Sequence, residues 1–160
     1  MSRIRAVPVT LAVVALLALV GCGESDSEKE SLDQAQQRRF DKSIDDFLAS
    51  GTTFLLDVKR CARRRGRSTC VQKAGTPLNE SADKTRATIV DLQRGVSGAC
   101  ASQLNLAAGE VTKALDVLLP VGVAARSGSA RRTRRLTNTA IDKLKPLANT
   151  VRAERRDCKG

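Results

Sequence analysis

Four separate stretches in which apolar residues recur at steps of three and four constrain this chain more than anything else in it. In the first, Phe40, Ile44, Phe47, Leu48, Phe54, Leu55, Val58 and Ala62 fall along one side of a helix, because a turn of 3.6 residues brings such positions to a common face. Acidic residues gather where this run begins and basic ones where it ends, the sense that complements a helix dipole. A first helix is expected over about residues 28–64, with Ser27 and Glu30 at the spacing of a capping box.

The segment 66–76 lacks period and carries Gly, Ser and Thr, so it reads as a loop, and Thr76-Pro77 reads as a cap followed by proline at the first helical position. A second helix then has Ala82, Thr85, Ile89, Leu92, Val96 and Ala99 as its stripe, weakened at its far end by Gly95 and Gly98. The third carries Leu104, Ala108, Val111, Leu115 and Leu118 until Pro120 disturbs it. After a small loop at 126–129, the fourth carries Leu136, Ala140, Ile141, Leu144, Leu147, Ala148 and Val151, with Pro146 expected to kink it. No segment of any length alternates as a strand would, and there is no internal repeat. The chain therefore reads as all-α, an antiparallel four-helix bundle.

Ahead of the bundle, Arg3 and Arg5 precede an apolar run from Val7 to Val20, interrupted only by Pro8 and Thr10. That is the layout of an export signal, and it is short of the roughly 20 residues that cross a bilayer as a helix. The run closes on Leu19-Val20-Gly21-Cys22, which resembles the lipobox of bacterial lipoproteins. The resemblance covers residues 1–22 and implies that residues 1–21 are removed as a signal peptide. It further implies that Cys22 carries a diacylglyceryl group as a thioether, begins the mature chain, and anchors an exported protein to the outer face of the cell membrane. Two acyl chains suffice for that, at about 0.8 kcal/mol per buried methylene. Residues 22–29 then read as a short polar tether and 30–160 as one helical domain.

Cys61, Cys70, Cys100 and Cys158 remain, an even number in an exported chain, which points to two disulfides. In an up-down-up-down bundle, Cys61 and Cys70 share one end while Cys100 and Cys158 share the other, so only the pairing Cys61 with Cys70 and Cys100 with Cys158 fits. The spacings contain no Cys-x-x-Cys knuckle, so neither a four-thiolate zinc site nor a redox-active pair is expected.

The sequence holds 28 Lys and Arg against 17 Asp and Glu, a net charge of +11. Lys59, Arg60, Arg63, Arg64, Arg65, Arg67 and Lys73 surround the first turn of the bundle, and Arg126, Arg131, Arg132, Arg134 and Arg135 the third. Both turns lie at the end opposite the anchored N-terminus. Near that N-terminus, Glu24, Asp26, Glu28, Glu30 and Asp33 can be balanced by Arg152, Arg155, Arg156 and Lys159. Cations at the end of the first helix suit its dipole, whereas those at the start of the fourth oppose theirs. The arginines at 60, 63, 64, 65, 67, 131, 132, 134 and 135 are therefore the candidate anion-binding set. Anionic wall polymer, phospholipid headgroups or an acidic protein are the partners in reach, since guanidinium forks suit phosphate and carboxylate. The plainer reading of such charge runs is a solvated surface.

Other classes have less support. DNA would satisfy the same charge, but no base-reading motif is visible. Without His the usual proton shuttle and commonest metal ligand are missing, and without Trp or Tyr there are no good stacking platforms. There is no Gly-rich phosphate loop and no Gly-x-Ser-x-Gly, and Asp45 and Asp46, adjacent on a helix, point in different directions. Neither an enzyme, a cofactor nor a small-molecule substrate is expected. A purely structural or assembly-partner lipoprotein is the alternative to an anion binder.

Overall fold

The structure is a computed structural model that describes residues 29–154 and Cys158. Four helices follow one another: α1 (Gln34–Cys61), α2 (Arg67–Gln93), α3 (Gly98–Arg126) and α4 (Ala130–Glu154). They pack as an antiparallel four-helix bundle tied by two disulfides, as the stripes and the cysteine positions imply. Cys61 pairs with Cys70 and Cys100 with Cys158, with Cα atoms 5.5 and 4.6 Å apart.

The helix ends differ from the sequence expectation in instructive ways. α1 starts at Gln34, and its capping box is Asp33 with Gln36, not Ser27 with Glu30. The Gln36 amide donates to Asp33 Oδ1 at 2.8 Å, and the Asp33 amide donates to Gln36 Oε1 at 2.9 Å. Ser27 lies outside the described residues, and Glu30 belongs to an extended strap laid across the α2–α3 turn. The Lys29 amide donates to the Gly95 carbonyl at 3.3 Å, Ser97 donates to the Lys29 carbonyl at 3.0 Å, and Leu32 donates to the Cys158 carbonyl at 3.0 Å. These bonds, with Leu32 buried, satisfy the backbone without a helix. At its other end α1 stops at Cys61, short of residue 64.

The largest correction concerns residues 66–76, which are not a loop. Gly66, at φ 72°, makes the turn and α2 begins at once, so Thr76 and Pro77 are not its start. Val71 and Leu78 are buried and Ala74 packs against the core, extending the stripe of Ala82, Thr85, Ile89 and Leu92 backwards. Burial of that face outweighs the weak helical preference of Ser68, Thr69 and Gly75. At the far end α2 stops at Gln93, and Ala99 sits exposed in the first turn of α3.

Pro77, Pro120 and Pro146 all lie inside helices, and Pro120 does not end α3. Each is exposed. The carbonyl that loses its partner to the ring is four residues back on the same face, so water can take the place of the missing amide.

α1 and α3 meet across the bundle, where a β-carbon on Gly51 would lie 3.5 Å from Leu118. α2 and α4 flank them and stay apart. Phe54 of α1 reaches into the α2–α3 seam, with its ring 3.3 Å from a β-carbon placed on Gly122 and 3.9 Å from one on Gly75. Two glycines thus make room for one buried aromatic ring, whose burial contributes about 1.5–3 kcal/mol.

Candidate functional site

The end of the bundle formed by the α1–α2 and α3–α4 turns gathers the predicted arginines. α4 begins at Ala130, so Arg131, Arg132, Arg134 and Arg135 occupy its first turns and do not merely precede it. Ser129 caps this start: Arg132 donates its amide to Ser129 Oγ at 3.4 Å, and the Thr133 amide bonds the Ser129 carbonyl at 2.8 Å. Thr133 is buried, with its hydroxyl donating to the Ser129 carbonyl at 2.9 Å. With Thr133 and, one turn on, Thr137 turned inward, the four arginines are left on the exposed flanks.

On the neighbouring turn, Arg63, Arg64, Arg65 and Arg67 are exposed. The two turns are brought together at one point, where the Arg67 guanidinium lies over Gly128. A β-carbon there would sit 2.5 Å from Arg67 Nη1, and Gly128 holds a φ of 78° besides. Only glycine allows both the left-handed turn and this approach.

The sequence carries no Asp or Glu from 58 to 79 or from 117 to 141. Arg60 differs from the rest, since it reaches Asp57 at 3.3 Å. The other candidate arginines pair with no carboxylate among the described residues. They therefore face solvent against the positive end of α4.

The opposite end is built differently. It receives the strap at residues 29–32 and the Cys100–Cys158 disulfide. With α1 28 residues long, the ends are about 42 Å apart at 1.5 Å per residue. Cys22, the signal segment, Glu24, Asp26, Glu28, Arg155, Arg156 and Lys159 lie outside the described residues, as does the side chain of Arg152. No helix among the described residues is long and apolar enough to cross a membrane.

Sequence reasoning placed the two clusters at one end but missed the contact of Arg67 with Gly128. The Ser-Gly-Ser at 127–129 was the available signal, because a lone glycine between serines after a helical stripe marks a left-handed turn. It also missed the surface grooves. One, of about 670 Å³, lies between α1 and α2 and is lined by Arg39, Lys42, Lys84 and Arg94; its acids already bind part of that charge, Asp91 to Arg39 at 2.8 Å and Asp46 to Lys42 at 3.0 Å. Another, between α1 and α4, is mostly apolar.

Compared with known proteins, the chain matches no family model, no curated protein and no solved structure.

Proposed function

We propose that this is a lipid-anchored protein of the bacterial cell envelope whose basic tip binds an anionic envelope component. The tip's preference is for phosphate-rich or carboxylate-rich polymer and for lipid headgroups. The observation that carries this reading is the position of Arg131, Arg132, Arg134 and Arg135 in the first turns of α4, beside a second arginine cluster and without carboxylate partners among the described residues. Like charges held against a helix dipole cost stability. Local rules broken in this way mark places where function is expected. The lipobox-like Leu19-Val20-Gly21-Cys22 supports the anchor and the address.

The full chain, extracted from membranes and placed in neutral nanodiscs, tests both halves. Its mass should correspond to a chain beginning at Cys22 plus a diacylglyceryl group, and a lipid-free N-terminus elsewhere would remove the anchor from the proposal. Binding to inorganic polyphosphate should fall steeply with salt, because each neutralised phosphate releases counterions. Changing Arg63, Arg64 and Arg65 to Gln, or Arg131, Arg132, Arg134 and Arg135 to Gln, should each weaken binding and flatten the salt slope. Changing Arg152, Arg155 and Arg156 should matter much less. Equal effects from all three sets, or no binding at physiological salt, would refute a site at the tip.

A further inference from the structure

The groove between α1 and α4 begins near the basic tip. At its tip-ward end stand Lys59, Thr137 and Asn138; further down it is walled by Leu55, Leu56, Ile141 and Leu144, with the exposed Thr52 and Lys145 also lining it. Its volume is about 350 Å³, within the range of roughly 300–1,000 Å³ usual for small-molecule sites. It runs from Lys59 to Leu48, about 16 Å along α1. On the α4 side its lining mixes short side chains, Thr137 and Ala148, with longer ones, Ile141 and Leu144.

Two observations point to an amphiphile with an acidic head. Leu56 and Ile141 are 54% and 40% exposed, so an apolar wall stands open to water where an alkyl chain would cover it. The Thr137 hydroxyl is buried and has no hydrogen-bond partner among the described residues, whereas Thr133 and Thr139 on the same helix bond back to carbonyls. A buried hydroxyl left unsatisfied carries a desolvation cost, which an acceptor bound beside it would relieve. Lys59 supplies a cation within the same end of the groove. Arg134 lies one turn before Asn138, on the same stripe of α4.

We propose that this groove binds a free fatty acid. Its alkyl chain lies between α1 and α4, and its carboxylate accepts from the Thr137 hydroxyl and the Lys59 ammonium at the tip-ward end. A single chain suits the volume; the two chains of a phospholipid do not. The proposal deepens the reading of the tip as an anion site and rests on it only for the field that favours the carboxylate.

Photo-labelling of the full chain in phosphatidylcholine nanodiscs, using palmitate with a diazirine in its tail, tests it. Adducts should concentrate on Leu55, Leu56, Ile141 and Leu144, and excess palmitate should compete while hexadecanol competes poorly. Leu56→Glu and Ile141→Glu alter exposed positions and should each lower labelling by at least about tenfold, because a charge is placed against the alkyl chain. Polyphosphate binding should be unchanged in both. Thr137→Val, which keeps the shape, should raise the palmitate concentration needed for half-labelling and erase the preference over hexadecanol.

Adducts spread equally onto Val90 and Leu106, which are exposed on other faces, would overturn the proposal. So would labelling that persists in Leu56→Glu, or a groove protected by a second copy of the chain in a dimer. Competition by lysophosphatidylglycerol but not by palmitate would overturn the fatty acid as occupant. Palmitate labelling that survives while polyphosphate fails to bind would sink the tip reading alone, so the two can fail separately.

Discussion

Gly128 decides how closely the two turns of the tip approach. Its φ of 78° costs a residue with a β-carbon about 1–2 kcal/mol, and the Arg67 guanidinium fills the space the β-carbon would take. The second obstacle is the far end of a flexible side chain and can move; the first cannot. Gly128→Ala should therefore lower stability by about 1–2 kcal/mol. In an Arg67→Ala background the loss should be somewhat smaller, because only the dihedral cost remains. Gly109 is the internal control, since it lies within α3 with nothing inside 4 Å of its β-position and no positive φ. Gly109→Ala should stabilise the bundle by about 0.5–1 kcal/mol through the backbone entropy of glycine alone. Thermal and urea unfolding of the four variants would check this, and a neutral Gly128→Ala would mean that the left-handed turn does not hold the two arginine clusters together.

Among the elements, what could be read from the residues was whatever a stripe of side chains encodes. Phe40 to Val58, Leu104 to Leu118 and Ala140 to Val151 each specify a face, and four faces with short turns leave little choice of architecture. The start of α2 was not legible, because Gly66, Ser68, Thr69, Gly75 and Thr76 favour loop locally and only the packing of Val71 and Leu78 against the other helices outweighs them. The prolines misled for a related reason: their cost depends on which face they occupy, and Pro77 and Pro120 face water. The charge of the tip was legible once the turns were placed. The α1–α4 groove was not, since it depends on how far apart two helices stand, which only the packing of the whole bundle sets. Legible too was the cysteine pairing, which makes a quantitative claim. The Cys100–Cys158 bridge spans 58 residues and the Cys61–Cys70 bridge nine. Loop-closure entropy in the unfolded chain assigns them about 4 and 2.5 kcal/mol respectively. Replacing both cysteines of the long bridge by Ser should thus lower stability more than replacing those of the short one, by on the order of 1.5 kcal/mol. Urea unfolding of the two double variants reads the difference, and the reverse order would show that the short bridge holds α2's first turn by contacts beyond loop closure.

At the scale of the described bundle, the basic tip and the strap by which the chain enters lie at opposite ends of one axis. The strap at residues 29–32 fixes where the chain enters the bundle, and the tip lies about 42 Å away along α1. With the anchor proposed at Cys22, an upright molecule would carry its arginines away from its own membrane towards the wall. That arrangement has a stability signature independent of any ligand. Arg131 and Arg132, in the first turn of α4, each oppose the dipole by about 0.3–1 kcal/mol at low ionic strength, and Arg134, Arg135 and the neighbouring cluster add repulsion that fades as the Debye length falls to about 10 Å at 0.1 M salt. Changing Arg131, Arg132, Arg134 and Arg135 to Gln keeps the helix propensity close to that of Arg and removes the opposing charge. The melting temperature should rise at low salt, and the gain should shrink as salt is added. The same change at Arg63, Arg64 and Arg65 should have a smaller effect, because those residues follow the end of α1, whose dipole favours them, while preceding α2, whose dipole does not. Polyphosphate should stabilise the wild-type chain in proportion to its occupancy and stabilise the α4 variant less. A variant less stable than wild type at every salt concentration would mean that the arginines earn their place by packing. The case for an anion at the tip would then lose the observation on which it stands.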